Sequence, residues 1–286
     1  MKTLKFNLFT IVLIVLFGGI ATTTTSCKKK KGCTDPKAKN YKAEATKDDG
    51  SCEYDQPAPT PTTGTLELKF EHVWGPSGAT FSMNTALVHP STSEELTFQT
   101  LKYYITNIKL KKTDGTWWTQ TESYYLVDAS SAAIPSFTIQ GVPAGDYTDI
   151  KYMIGVDSTR NVSGAQSGAL STSNGMFWSW NSGYIFIKAE GLSPDSPNGA
   201  FTYHIGGFRD ANNTNAIRIN SQNLAAATLA VAPNASPSVH FKVNVARFWH
   251  GGLSVSTLNN VHMPGANALI LADNFQGAIN VDHIHN

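Results

Sequence analysis

Leu66, Leu68 and Phe70 alternate with Glu67, Lys69 and Glu71, the two-residue period of a strand with one buried face, and the apolar phase runs on through His72 and Trp74. Tyr103 and Ile105 alternate, then Ile108 and Leu110 do so one step out of phase, which predicts a bulge near Thr106-Asn107. Thr113-Asp114-Gly115 predicts a hairpin turn before Trp117-Trp118, and Pro143-Ala144-Gly145-Asp146 a turn before a strand carrying Ile150, Tyr152, Ile154 and Val156. Tyr184 to Ala189 is nearly all apolar, the pattern of a strand covered on both faces. Val239, Phe241, Val243 and Val245 alternate with Ser238, His240, Lys242 and Asn244; Ile279, Val281, His283 and His285 share one phase at the C-terminus. Only Asn259 to Phe275 has room for a helix, which Pro264-Gly265 would precede. Many short strands separated by turn signals predict an all-β fold, an antiparallel sandwich of immunoglobulin or jelly-roll type with long loops, over residues 64–286.

The first 63 residues read differently. Lys2 and Lys5 precede an apolar run from Phe6 to Ile20, then small residues and Cys27, the arrangement of a bacterial lipoprotein signal over residues 1–26. Cys27 would carry the lipid, residues 27–32 would form a basic tether, and the chain would be anchored in the cell envelope at the outer membrane, on its periplasmic face or at the cell surface. Cys33 and Cys52 are then left to pair outside the cytoplasm, closing a small module over residues 33–54 and contributing about 3 kcal/mol. Asp35, Asp48 and Asp49 in that module are hard oxygen donors suited to calcium, or else solvated acids of a polar turn. Alternating proline in residues 55–63 predicts a stiff spacer.

Charge narrows the partners. The 286-residue chain has 22 basic and 21 acidic residues, a net charge of +1, so it lacks the electrostatic footprint for nucleic acid. No nucleophile elbow, P-loop, dinucleotide-binding loop or His-Glu-x-x-His motif is present, and no nucleophile–base pairing stands out, which argues for a binding protein rather than an enzyme. A neutral, tethered domain is expected to be a monomer.

Five stretches carry a family resemblance: Leu101–Leu110, Val142–Tyr147, Ile154–Ser158, the Gly175-Met176-Phe177-Trp178-Ser179-Trp180 run with Gly183 to Gly191, and Tyr203-His204-Ile205-Gly206-Gly207. From about Leu66 onward the chain resembles the MbnP family of bacterial copper-associated extracytoplasmic proteins. The resemblance implies copper handling, a His-based site, in some members a tryptophan oxidised to kynurenine, and a MauG-like dihaem peroxidase as the oxidising partner. The chain departs from the family in lacking a Trp-x-His pair; it has His72-Val73-Trp74 in the reverse order. The N-terminal Gly32-Cys33-Thr34-Asp35-Pro36…Asp48-Asp49-Gly50-Ser51-Cys52 run separately resembles a short module of bacterial surface proteins.

Eight histidines supply the candidate metal ligands. His283-Ile284-His285 would point two rings to one side of a strand, roughly 7 Å apart between Cα atoms, and neutral imidazole suits copper and zinc. Their phase, that of Ile279 and Val281, predicts partial burial. His204 lies in the family's own motif, and His72 continues an apolar stripe, as a packed core histidine would. His262-Met263 pairs a nitrogen with a thioether, and His250 follows Phe248-Trp249 at a strand end; both are secondary candidates. His89 and His240 read as structural. Trp74, Trp178 and Trp180 are candidates for oxidation and, equally, for core packing. The expected function is a lipid-anchored extracytoplasmic protein that captures, stores or delivers copper. The alternative is a metal-free surface module whose Trp117-Trp118 pair stacks on a glycan or packs on a protein.

Overall fold

A computed structural model describes residues 29–55, 62–131, 133–164, 166–179, 182–209, 214–224 and 227–286. Cys27 and Trp180, expected as lipid carrier and oxidisable ring, lie outside the described residues. The chain forms two compact units, Met1–Thr60 and Pro61–Asn286.

In the first unit the Cys33–Cys52 disulfide is present, with Cα atoms 4.8 Å apart. Each aspartate is occupied with its own turn. Asp35 Oδ1 accepts from the Lys37 amide and its Oδ2 from the Tyr54 hydroxyl; Asp48 accepts from the Gly50 amide; Asp49 accepts from the Ser51 amide. These are side chains completing tight turns, and they do not converge as a ligand set.

The second unit is built from strands in two sheets. One has five strands in the order Ile279–His285, Ser238–Asn244, Thr63–Trp74 and Ala79–Thr80, with Ser136–Pro143 also paired to Thr63–Trp74. The other runs Arg218–Asn223, Gly145–Ile154, Glu95–Lys112, Gly183–Leu192, Ala200–Gly206 and Asn260–Val261, with shorter strands attached. Pairing is mostly antiparallel, as the alternation predicts. The exceptions are Thr63–Trp74 against Ser238–Asn244 and Ala200–Gly206 against Asn260–Val261, which run parallel. The first of these brings strands from the two ends of the domain side by side in one sheet.

The inner faces share one core. Leu66, Leu68, Phe70, Phe241 and Val243 meet Tyr103, Ile150, Tyr152 and Ile154, all with exposures of 1% or less. Phe70 stacks on Phe241 with centroids 5.0 Å apart, Tyr103 meets Phe70 edge-on at 6.2 Å, and Tyr152 meets Phe241 at 5.6 Å. These rings bury large apolar areas in preferred geometries. The predicted slip is present: pairing shifts between Thr106 and Lys109, and Asn107 takes a left-handed φ of 52°. The helix forms over Ala266–Gln276, just after Pro264-Gly265, and buries Ala268, Leu271, Ala272 and Phe275, a stripe of helical spacing. Among the described residues no helix is long and apolar enough to cross a membrane.

Candidate metal centre

The outward face of the five-stranded sheet gathers three imidazoles. On Ser238–Asn244, Val239, Phe241 and Val243 point into the core, so His240 points out. Its cross-strand neighbour is His283. The alternation read from the sequence would have turned His283 and His285 inward with Ile279 and Val281. The structure corrects this. Pairing shifts between His240 and Phe241, because His283 faces His240 while Val281 faces Phe241. Asp282 is the extra residue of a β-bulge, and an extra residue reverses the side-chain parity of all that follows. Ile284 therefore opposes Val239 and packs on the core, and His283 and His285 join His240 outside.

The geometry within the trio is close. His283 Nε2 and His285 Nε2 are 3.1 Å apart. The His240 and His283 rings stack at 4.4 Å, and His240 meets His285 at 4.9 Å. One ligand atom from each lies within 4.8 Å of the others, and no other group of three such side chains forms among the described residues. His283 Nδ1 is 2.7 Å from Asp282 Oδ2. A carboxylate only accepts, so that nitrogen carries the proton and Nε2 presents its lone pair to the centre, the arrangement found around metal-bound histidines. The bulge residue thus both turns His283 outward and fixes its tautomer. Lys242 Nζ holds the other Asp282 oxygen at 3.1 Å. His240 Nε2 is buried and has no hydrogen-bond partner. Burial, then the neighbouring His283 and Lys69, push its pKa down, which keeps the ring neutral and able to ligate.

The other candidates stand elsewhere. His204 pairs across the strands with Lys188, and its Nε2 is 2.7 Å from Glu190 Oε1, so a carboxylate on the neighbouring strand already occupies it. His72 is inward, with Nε2 3.1 Å from the Tyr103 hydroxyl and its ring against Phe81; burial lowers its pKa to about 4. His262 Nδ1 lies 2.9 Å from Asn260 Oδ1 beside the exposed Met263, both at a turn lining one shallow hollow. His250 is exposed and lines a different cavity. Neither His204 nor His72 joins His283 and His285; His240, read from the sequence as structural, does.

Trp74 and Trp178 pack. Trp74 donates from Nε1 to the Val88 carbonyl and meets Phe98, His89 and Trp249 edge-on. Trp178 lies over Gly206, where a Cβ would come within 2.8 Å of the indole and 2.6 Å of the Tyr184 carbonyl. That close approach is a packing reason for the glycine following His204-Ile205.

The sequence profile of the MbnP family matches residues 63–264. The chain belongs to the MbnP family. Among solved structures, MbnP from Methylosinus trichosporium resembles it with 15% identity and a TM-score of 0.47, over 72% of this chain and 84% of that one. No curated protein matches the chain in sequence. The family match takes in the Trp178–Gly206 contact, His72, His204 and His240. His283 and His285 fall beyond its last residue, on a strand of the same compact unit.

Proposed function

We propose that this MbnP-type protein is a lipid-anchored, extracytoplasmic copper-binding protein, and that His240, His283 and His285 hold the copper. The observation that carries the reading is the buried, unpartnered Nε2 of His240 beside two Nε2 atoms 3.1 Å apart. An orphaned polar atom in a buried position is costly, and a shared cation would satisfy it. Two nitrogens bound at about 2.05 Å with ordinary coordination angles lie about 2.9–3.4 Å apart, so the His283–His285 spacing already suits one ion. Three neutral imidazoles without thiolate favour Cu(II) or Zn(II), and the divalent series favours copper between them. His283 and His285 are exposed, which suits uptake and handover rather than permanent burial. The family resemblance supports copper as the cargo, and the basic, apolar and small-residue run before Cys27 supports that residue as the anchor.

The test is metal content of the full chain, purified without chelator and challenged with equimolar Cu(II) and Zn(II). About one copper per chain retained in preference to zinc, and its loss on joint replacement of His240, His283 and His285 by alanine, is the expected result. Unchanged copper in that triple variant would refute the site.

A second reading rests on a separate hollow lined by Trp118, Gln120, Tyr125, Thr138 and Gln140, which has aromatic rims and no charged side chain. That lining suits the stacking and hydrogen bonding of a sugar. A glycan-array signal that survives chelator and disappears in Trp118→Ala would favour it.

A further inference from the structure

Where the Ser238–Asn244 strand ends, the chain turns into a 3-10 segment, Val245–Gly252. This segment, the turn at Pro90–Thr92 and the Gly75-Pro76 corner enclose a cavity of about 290 Å³. We infer that this cavity binds the oxyanion group, carboxylate or phosphoryl, of a small molecule, with Arg247 as its principal ligand.

Arg247 is the reason. Its Nε is buried without a hydrogen-bond partner, and its guanidinium has neither hydrogen bond nor ion pair among the described residues. A guanidinium offers five donors in a planar fork; the buried Nε is left unmatched, while the terminal nitrogens are not among the buried orphaned atoms and stay open to an anion. Its position is fixed by packing: a Cβ on Gly277 would meet Nη2 at 2.8 Å, so the glycine makes room for the side chain. The C-terminal end of the Ala266–Gln276 helix lies beside it and favours a cation through its dipole, but it supplies no hydrogen bond to the guanidinium.

The remaining lining is donor-rich and has no acid. Asn244 Oδ1 accepts from the Gly75 amide at 2.9 Å, which fixes the amide's orientation and leaves Nδ2 without a partner among the described residues. The Ser91 hydroxyl and the His250 ring are also uncommitted there. His89 is different. Its Nε2 is 3.0 Å from the Ala246 carbonyl and its Nδ1 receives the Thr92 amide, so it braces the wall and does not bind. Asn274 Nδ2 donates to the Phe248 and His250 carbonyls, both at 3.0 Å, tying the 3-10 segment to the helix. The donors therefore sit on a braced frame, as a selective site requires. A space of this size fits a small molecule rather than a folded partner. The bidentate match of guanidinium to oxyanion supplies both strength and orientation.

The test is calorimetric titration of the full chain with inorganic phosphate and, separately, with citrate, at low ionic strength and with chloride as the control. Saturable one-to-one binding of at least one of them is expected, weakened about tenfold in Arg247→Lys, which keeps the charge but loses the fork, and lost in Arg247→Met. Preference for phosphate would assign a phosphoryl group, and preference for citrate a carboxylate. Copper content should not change in either variant, which separates this site from the histidine cluster. Absence of binding to either anion up to about 10 mM would overturn the inference. So would a tenfold-range titration identical in wild type and Arg247→Lys, the variant that carries the test should Arg247→Met fail to fold.

Discussion

His89 and His240 lie on the same polypeptide domain and were indistinguishable as isolated letters, yet their surroundings are opposite. His89 is 4% exposed, and both ring nitrogens are matched by the protein, to the Ala246 carbonyl and to the Thr92 amide and hydroxyl. His240 keeps a buried nitrogen with nothing to bond, next to two more imidazoles. His72 and His204 stand nearer to His89, each with its Nε2 taken, by Tyr103 and by Glu190. The lesson is that burial alone does not mark a ligand. What marks it is a ring nitrogen that the protein leaves unmatched, beside further imidazoles.

The sharpest way to break this contrast is to exchange the two groups' fates. Removing His240, His283 and His285 together should abolish copper retention while leaving thermal stability near that of the parent; His89→Ala should retain copper. The next largest effect concerns His72. Its pKa of about 4 in the folded chain lies below the ordinary 6.5, so the folded state binds fewer protons than the unfolded one between those values. Stability from this ring is complete above about pH 6.5 and is lost as pH falls towards 4, an amount on the order of 3 kcal/mol. His72→Leu should flatten that part of the denaturation-against-pH curve; an unaltered slope would place the proton uptake on another group. His89→Ala itself should cost about 2 kcal/mol in urea unfolding, because it strands the Ala246 carbonyl and the Thr92 amide. The smallest effect is Asp282→Asn, which removes the carboxylate that fixes the His283 tautomer. Copper affinity should fall about tenfold by competition titration, with stoichiometry intact.

Much of the fold was legible because it rests on local alternation. Leu66-Leu68-Phe70, the slip at Thr106-Asn107 and the helix after Pro264-Gly265 each announce themselves within a few residues, and the structure has all three. The site was legible only in half. His283-Ile284-His285 is conspicuous in the sequence, but which way it faces depends on an extra residue at Asp282 whose presence shows only against the partner strand. Ile279, Val281, His283 and His285 read as one unbroken phase because a bulge has no local signature when the residues around it keep alternating. His240 was missed for the same reason: its significance comes from being opposite His283, a pairing between strands separated by the whole Val245–Ala278 stretch. The parallel placement of Ser238–Asn244 against Thr63–Trp74 was equally out of reach, since strand order is set by the packing of distant segments rather than by any residue's own preference.

The bulge at Asp282 also bears on how the cluster would be inherited. Loss of that single codon would restore unbroken alternation with Ile279, Val281 and Ile284 inward, and would leave His283 and His285 outside beside His240 while removing the carboxylate that holds His283 Nδ1. Among descendants of such a gene the three imidazoles would stay together through that deletion, and what would change is the anchoring of the His283 ring.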